Sequence, residues 1–304
     1  MAVTLAQSAV LSGNMVQRGV IQTFVEESPV LDRLPLMDIE GNAYAYRREL
    51  SLPGIAFRAV NAAYTESTGA FSELTESLAI MGGESDVDRF IQQTRSNFED
   101  QRAAQLRLKT KALAYKFNET FFEGDIAVDV NSFDGLRKRL TGNQVVTAAT
   151  NGAALTLDML DDLISRVIGG PDVIYANAFT IRKINALLRA SGTVVMIENM
   201  SDVRRLVTSY AGIPIVDPGV GADGTTDILA FDETQGTDTT TASIYAVRFG
   251  EEEFVSGITN GGVQVDDLGM LESKPSYRHR VEFYVGMAIF NGKAAARLKG
   301  IDQL

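Results

Sequence analysis

The residues that could do chemistry are few and scattered. His279 is the only histidine in the 304-residue chain, and there is no cysteine. That excludes a thiol nucleophile, a disulfide scaffold and any metal signature that needs two imidazoles or thiolates. His279 stands between Arg278 and Arg280 in an alternating run, and no Gly-x-Ser-x-Gly motif accompanies it, so it reads as a surface or interface imidazole. Gly219-Val220-Gly221-Ala222-Asp223-Gly224 satisfies the dinucleotide-binding pattern letter for letter. The pattern works only when a helix follows, so that its N-terminus faces a pyrophosphate. Here Thr225-Thr226-Asp227-Ile228-Leu229 follows, which reads as the start of a strand, so the segment is a turn-rich loop.

Asp217, Asp223 and Asp227 share that loop, but their spacing fits no calcium loop with its closing glutamate. Glu251-Glu252-Glu253 and Asp266-Asp267 are acidic runs. Consecutive strand residues point to opposite faces, so these read as solvated edges rather than a carboxylate pair with split pKa values. The sequence therefore offers no catalytic residue, no cofactor-binding residue and no metal ligand, and the expectation is a protein that is not an enzyme and needs no cofactor.

Composition narrows the classes further. With 45% apolar and 22% charged residues the chain is globular, not disordered. Net charge is −11, which argues against general nucleic-acid binding over the whole surface. The balance is uneven: residues 87–150 carry 10 basic and 8 acidic side chains, whereas 1–86 carry 5 and 11, and 151–244 carry 6 and 12. Met1-Ala2-Val3-Thr4 has no basic leader, and no apolar run reaches about 18 residues. The expectation is a soluble chain with no membrane partner.

The elements that would position these residues are unusual. Residues 1–35 read as an arm, with Leu5, Ala9, Val16, Val20 and Phe24 at roughly helical spacing, interrupted by Gly13 and Gly19. Residues 40–86 read as a long hairpin. Tyr44, Tyr46 and Arg48 alternate with Ala43, Ala45 and Arg47, Ser51-Leu52-Pro53-Gly54 turns, and Leu74, Leu78 and Ile80 alternate again up to Gly82-Gly83. Such a ribbon holds too few apolar side chains for a core of its own and needs a neighbour. Ser85 or Asp86 caps a helix predicted from Val87 to Glu123, stopped by Gly124, with Ile91, Phe98, Leu106, Leu113, Phe117 and Phe121 as its apolar stripe. At 1.5 Å per residue it would be about 50 Å long, a strut.

Between Gln101 and Asn118 that helix has no acidic residue but carries Arg102, Arg107, Lys109, Lys111 and Lys116. Two readings stand: cations favoured by the macrodipole in a helix C-terminal half, or a basic face turned toward nucleic acid or a partner. Beyond it, helices begin at Thr156 and Asn177. Val173–Tyr175, Ile213–Val216, Ile228–Phe231, Ile244–Phe249 and Tyr277–Phe290 read as strands, and Lys293–Leu298 as a short helix. Helices and strands interleave without a βαβ rhythm, so the class is α+β.

In this order the parts resemble the major capsid protein of tailed dsDNA bacteriophages, a fold shared with encapsulins and the floor of herpesvirus capsids. Three segments carry the likeness. The helix ends in Asn118-Glu119-Thr120-Phe121-Phe122-Glu123-Gly124-Asp125, soon followed by Phe133-Asp134-Gly135-Leu136. Tyr210-Ala211-Gly212-Ile213-Pro214-Ile215-Val216 resembles the Gly-x-Pro-Val segment of the family's axial domain. Arg280-Val281-Glu282-Phe283-Tyr284-Val285-Gly286-Met287-Ala288, with Ala294 to Leu298, is similar to its closing strand and terminal element.

The resemblance implies an N-terminal arm (1–35), an extended β-hairpin loop (36–86), a peripheral domain (87–150 and 245–304) with spine helix 87–123, and an axial domain (151–244). It implies a structural subunit that self-assembles, as hexamers and pentamers, into the icosahedral head shell enclosing a dsDNA genome; the alternative is an encapsulin-like shell enclosing a cargo enzyme. Scaffolding, portal and decoration proteins would be its further partners, and assembly would take place in the host cytoplasm. The hairpin and arm would lie on neighbouring copies, making Phe24, Tyr44, Tyr46, Arg47, Arg48, Phe57, Arg58, Tyr64 and Phe71 the inter-subunit candidates. The spine helix would face the interior, where Arg102, Arg107, Lys109, Lys111 and Lys116 would make weak, non-specific contact with packaged DNA. Some members cross-link a hairpin Lys to a neighbour's Asn. This chain has no Lys before Lys109, so its shell would be held without that bond. With only about 35 residues ahead of the hairpin, any scaffolding function is expected from another protein.

Overall fold

Residues 85–88, which the sequence assigns to the cap and first turn of the spine helix, are strand instead. The computed structural model describes residues 19–21, 23–24, 27–95, 101–191, 196–199 and 206–303. Within it β1 (Leu36–Asp38) leads to β2 (Ala43–Ser51) and β3 (Ala70–Ser77), which pair antiparallel from Ala43↔Ser77 to Ser51↔Ala70. The hairpin expectation thus holds. Gly82-Gly83 does not end the next strand, however. β4 (Ala79–Asp88) runs through both glycines and through Ser85 and Asp86. It pairs with the late strand Ser276–Ile289 along its whole length, from Val285↔Ala79 to Ser276↔Asp88. Gly82 permits this close pairing, because a Cβ there would lie 2.5 Å from the Val281 carbonyl oxygen.

The helix therefore begins later, at α1 (Arg89–Arg95), where the Asp88 carboxylate accepts the Phe90 amide at 2.7 Å. The next described helix is α2 (Gln101–Glu123). Of the expected stripe, Leu106, Leu113, Phe117 and Phe121 are buried, Ile91 is exposed, and Phe98 lies outside the described residues. Gly124 does stop α2, and it closes against Gly135: the Gly135 amide donates to the Gly124 carbonyl at 2.8 Å. A Cβ on Gly135 would meet the Thr120 carbonyl oxygen at 2.6 Å. Only glycine fits so near another backbone.

After α3 (Leu136–Arg139) and β5 (Val145–Thr147) come α4 (Leu157–Ser165), β6 (Val173–Tyr175) and α5 (Ala178–Ala190). Thr156 and Asn177 cap α4 and α5 as expected, accepting from the Met159 and Thr180 amides. β7 (Met196–Asn199), β8 (Leu206–Tyr210), β9 (Ile213–Val216), β10 (Glu233–Gln235) and β11 (Asp238–Val247) follow. Ile228–Phe231 is not a strand. Ile228 and Leu229 are buried in a turn, with the Ile228 amide bonded to Gly219 and the Leu229 carbonyl to the Asn177 side chain.

β12 (Val255–Met270) and β13 (Ser276–Ile289) form the longest ladder. Alternation hides β12 because Gly261 and Gly262 both take positive φ and the register shifts twice. The expected terminal helix is β14 (Ala295–Ile301). Alanine favours helix locally, but here small side chains let the strand fit, buried, between β11 and β5.

Besides the two-stranded β2-β3 hairpin, two larger sheets result: β1-β12-β13-β4, and β5-β14-β11-β6-β9-β8-β7 with β10 against β11. α2 bridges them. Phe117 meets Phe283 of the first sheet at 6.1 Å, and Phe122 meets Tyr175 and Tyr245 of the second at 5.1 and 5.3 Å. On the far face of the second sheet, Leu160, Leu163, Ile184 and Leu188 of α4 and α5 pack on Ile174, Ile244 and Leu298.

Candidate subunit interface

The hairpin is fixed at its root and bare at its end. Tyr46 is buried there, with its ring 4.7 Å from Phe290 and its hydroxyl donating to the Ile289 carbonyl at 3.1 Å. Tyr44 is half-buried beside it, 6.1 Å from Phe290. Across β3, Glu76 accepts two hydrogen bonds from the Arg139 guanidinium, a bidentate pair shielded from water on both sides. Burial and the nearby Glu76 charge hold the Tyr46 phenol above its ordinary pKa. Tyr46 therefore works inside the subunit, as an anchor, and not as the inter-subunit contact expected from sequence.

Phe24 is corrected in the same way. It is fully buried, edge-on to Phe283 at 5.4 Å. Val20, Ile21, Val30, Leu31 and Leu34 join it in the main core. The Ser28 hydroxyl donates to Asn118 at 2.5 Å, and Glu27 pairs with Lys111 at 3.0 Å. These residues of the expected arm pack into their own subunit; residues 1–18, 22, 25 and 26 lie outside the described residues.

Beyond the root, Leu50, Leu52, Ile55, Phe57, Val60, Tyr64 and Phe71 are all exposed, Ile55 at 97%. The end is locally organised: the Arg58 guanidinium donates to the Ala62 carbonyl at 3.2 Å and lies 5.1 Å over the Tyr64 ring, and Ser67 donates to the Gly54 carbonyl at 2.9 Å. Arg47 is exposed and Arg48 half-buried on β2. Apolar exposure on this scale within one hairpin marks an interaction surface. Each large side chain gains about 1.5–3 kcal/mol on full burial.

Most of the basic stretch on α2 is already engaged. Arg102 pairs with Asp267 at 2.7 Å and donates to His279 Nε2 at 2.9 Å. Lys111 holds Glu27, and Lys116 pairs with Glu119 at 2.8 Å. Lys109 lies over Gly83, where its chain would meet any added Cβ. Arg107 is exposed.

The acidic loop residues are likewise committed. Asp223 accepts from Thr225 and Thr226, which hold its carboxyl well below the usual range. Asp217 accepts from the Gly219 amide. The Gly219–Gly224 loop is a turn whose Ala222 amide donates to Glu119 at 2.8 Å. A pocket of about 190 Å³ gathers Glu119, Glu123, Asp125 and Asp129 with Lys116. Glu123 faces Arg137 at 3.2 Å, Asp125 faces Lys138 at 2.9 Å, and Asp129 accepts the Asn131 amide. Among the described residues no group of three or more candidate side chains could hold a metal, and no helix is long and apolar enough to cross a membrane.

Comparison with known proteins agrees with this geometry. Residues 13–160 match a family model described as Major capsid protein GP7. No curated protein sequence matches. Among solved structures, the holo-SrpI encapsulin complex from Synechococcus elongatus PCC 7942 superposes with a TM-score of 0.66 at 20% identity, covering 90% of this chain and 87% of that one. The cyanophage A-1(L) capsid gives 0.65 at 12% identity, covering 90% and 93%. A chain of Microbacterium phage Oxtober96 gives 0.63 at 14% identity, covering 90% and 91%.

Proposed function

We propose that this chain, which has the tailed-phage major capsid protein fold, is a structural subunit that self-assembles into an icosahedral head shell around a dsDNA genome. The observation that carries the reading is a hairpin end with seven large apolar side chains exposed, on a fold whose relatives include phage capsids. Burial of that end on a sister copy supplies the association energy, and summation over many contacts closes the shell. The match to a capsid family model favours a phage head over an encapsulin compartment. The hairpin, the β1-β12-β13-β4 sheet with α2, and residues 151–244 serve as extended loop, peripheral domain and axial domain. The shell is the virion's, assembled in the host cytoplasm, and the subunit does no catalysis. Light scattering and electron microscopy of the purified chain are expected to show a monodisperse particle of megadalton size. A compact monomer at every concentration would overturn the reading.

A net charge of −11 per subunit makes neighbouring copies repel at low ionic strength. Raising salt from about 10 mM to 150 mM shortens the Debye length from about 30 Å to 8 Å, so assembly should become faster and start at lower protein concentration. Light scattering that is unchanged across that range would refute the electrostatic claim.

Contact with packaged DNA falls to the basic stretch of α2, where Arg107 is exposed and Lys109 half-buried. Arg107→Glu with Lys109→Glu is expected to lower the DNA content of particles severalfold while leaving subunit stability and shell formation intact. Normal packaging in that variant, measured by encapsidated DNA per particle, would remove this role.

A further inference from the structure

The exposed hairpin end needs a receiving surface, and the same chain carries one whose chemistry complements it. Between Gly124 and Gly135 the chain forms a loop that shows Ile126, Val128 and Val130 to solvent, Val128 at 88% exposure. Its ends are pinned back to back by the Gly135–Gly124 hydrogen bond, and Phe133 is buried beneath it, 6.2 Å from Phe117. Apolar side chains are thus held outward on a rigid base. Residues 125–134 carry three aspartates, Asp125, Asp129 and Asp134, and no cation. Residues 52–65 of the hairpin carry Arg58 and no anion.

Asp125 is taken by Lys138, and Asp134 accepts the Ile126 amide. Asp129 is exposed, its carboxylate bonded only locally to the Asn131 amide. Arg58 donates only to carbonyls of its own turn, and among the described residues no carboxylate stands within ion-pair distance of it. Both surfaces are bare within one chain, so they do not meet in the subunit that carries them.

Two other exposed apolar spots compete less well. Phe90 and Ile91 sit beside both Arg89 and Asp88. Leu268 and Met270 flank Asp267, which Arg102 already neutralises.

We propose that the 125–134 loop of one subunit is the seat for the hairpin end of a second copy, with Ile55, Phe57 and Val60 over Ile126, Val128 and Val130, and Arg58 facing Asp129. The inference rests on the shell reading and specifies which surface that reading uses. It differs from a generic apolar contact in demanding one charge register.

Cysteine cross-linking tests it on a clean background, because the chain has no cysteine of its own. Val60→Cys combined with Val128→Cys is expected to give, on mild oxidation of assembled particles, a ladder of covalent multimers on a denaturing gel. Each single variant gives none. Arg58→Glu alone and Asp129→Arg alone are each expected to raise the concentration needed for assembly about tenfold, and the two together to restore it to within about threefold of wild type. Particles that form without a ladder, with no rescue in the swapped pair, overturn the proposal. So does a ladder that appears only when Val60→Cys is paired with Phe90→Cys or Leu268→Cys. A wild-type chain that forms no particles overturns the shell reading itself, and the two failures are therefore told apart.

Discussion

Replacing Ile55 and Phe57 together by aspartate is expected to abolish particle formation at concentrations where the wild-type chain assembles completely. Both side chains are almost wholly exposed in the subunit. Their removal forfeits nothing in the folded monomer, where surface substitutions usually stay within about 0.5 kcal/mol. In the shell each would be buried, at about 1.5–3 kcal/mol apiece. Losing both raises the assembly threshold by about 10² to 10⁴, since each 1.4 kcal/mol is tenfold, and two desolvated carboxylates add to that. The measurement is light scattering against protein concentration, paired with a thermal melt of the unassembled chain. The expected pattern is lost particles with an unchanged melt, and Phe57→Leu alone should keep most of the assembly. A double variant that assembles at the wild-type threshold would show that the hairpin end is not an interface.

Local rules made the hairpin, both caps and the Gly124 stop legible, because each depends on a few adjacent residues. Tyr44, Tyr46 and Arg48 alternate with small or charged partners, and that is a strand whatever surrounds it. Legibility failed where distant chain decided the outcome. Alanine-rich Ala294–Leu298 reads as helix until β11 and β5 close on either side of it. Residues 85–88 look like a helix cap and first turn because the strand they pair with is nearly two hundred residues away. β12 was invisible because paired glycines and two bulges erase its alternation.

The interface was legible as a deficit: too many aromatics on too little core. Which of them are free to bind was not. Tyr46 and Phe24 look no different in sequence from Phe57 and Tyr64, yet Phe290 and Phe283 claim the first two inside the subunit. Residues 125–134 are not legible as a surface in sequence, because three aliphatics in an Asp-rich loop look like an ordinary turn, whereas buried Phe133 and the Gly135–Gly124 bond fix the base of the loop.

A second large effect is expected far from any surface, where Glu233, Ser243 and Arg297 meet between β10, β11 and β14. Arg297 pairs with Glu233 at 2.7 Å and donates to the Ser243 hydroxyl at 2.9 Å, and Ser243 in turn donates to Glu233 at 2.5 Å. Both charged side chains are about nine-tenths buried. Arg137, from α3, stands 3.9 Å from Glu233 and 3.2 Å from Glu123 at the end of α2. Burial pushes the Glu123 carboxyl up in pKa, while Arg137 draws it back. The network therefore ties the end of the spine helix to the central sheet.

Glu233→Gln keeps the shape but leaves the Arg297 cation desolvated with no carboxylate opposite it. Removing one member of such a pair costs about 3–5 kcal/mol, whereas replacing both by apolar groups is often near neutral. Urea unfolding of the unassembled subunit, in the Ile55→Asp/Phe57→Asp background that prevents shells, should show that loss for Glu233→Gln. Glu233→Met with Arg297→Met should recover most of it, to within about 1–2 kcal/mol, despite the lost contact between Arg297 and the Tyr245 ring at 5.8 Å. A loss below about 1 kcal/mol for Glu233→Gln would mean that water reaches Arg297.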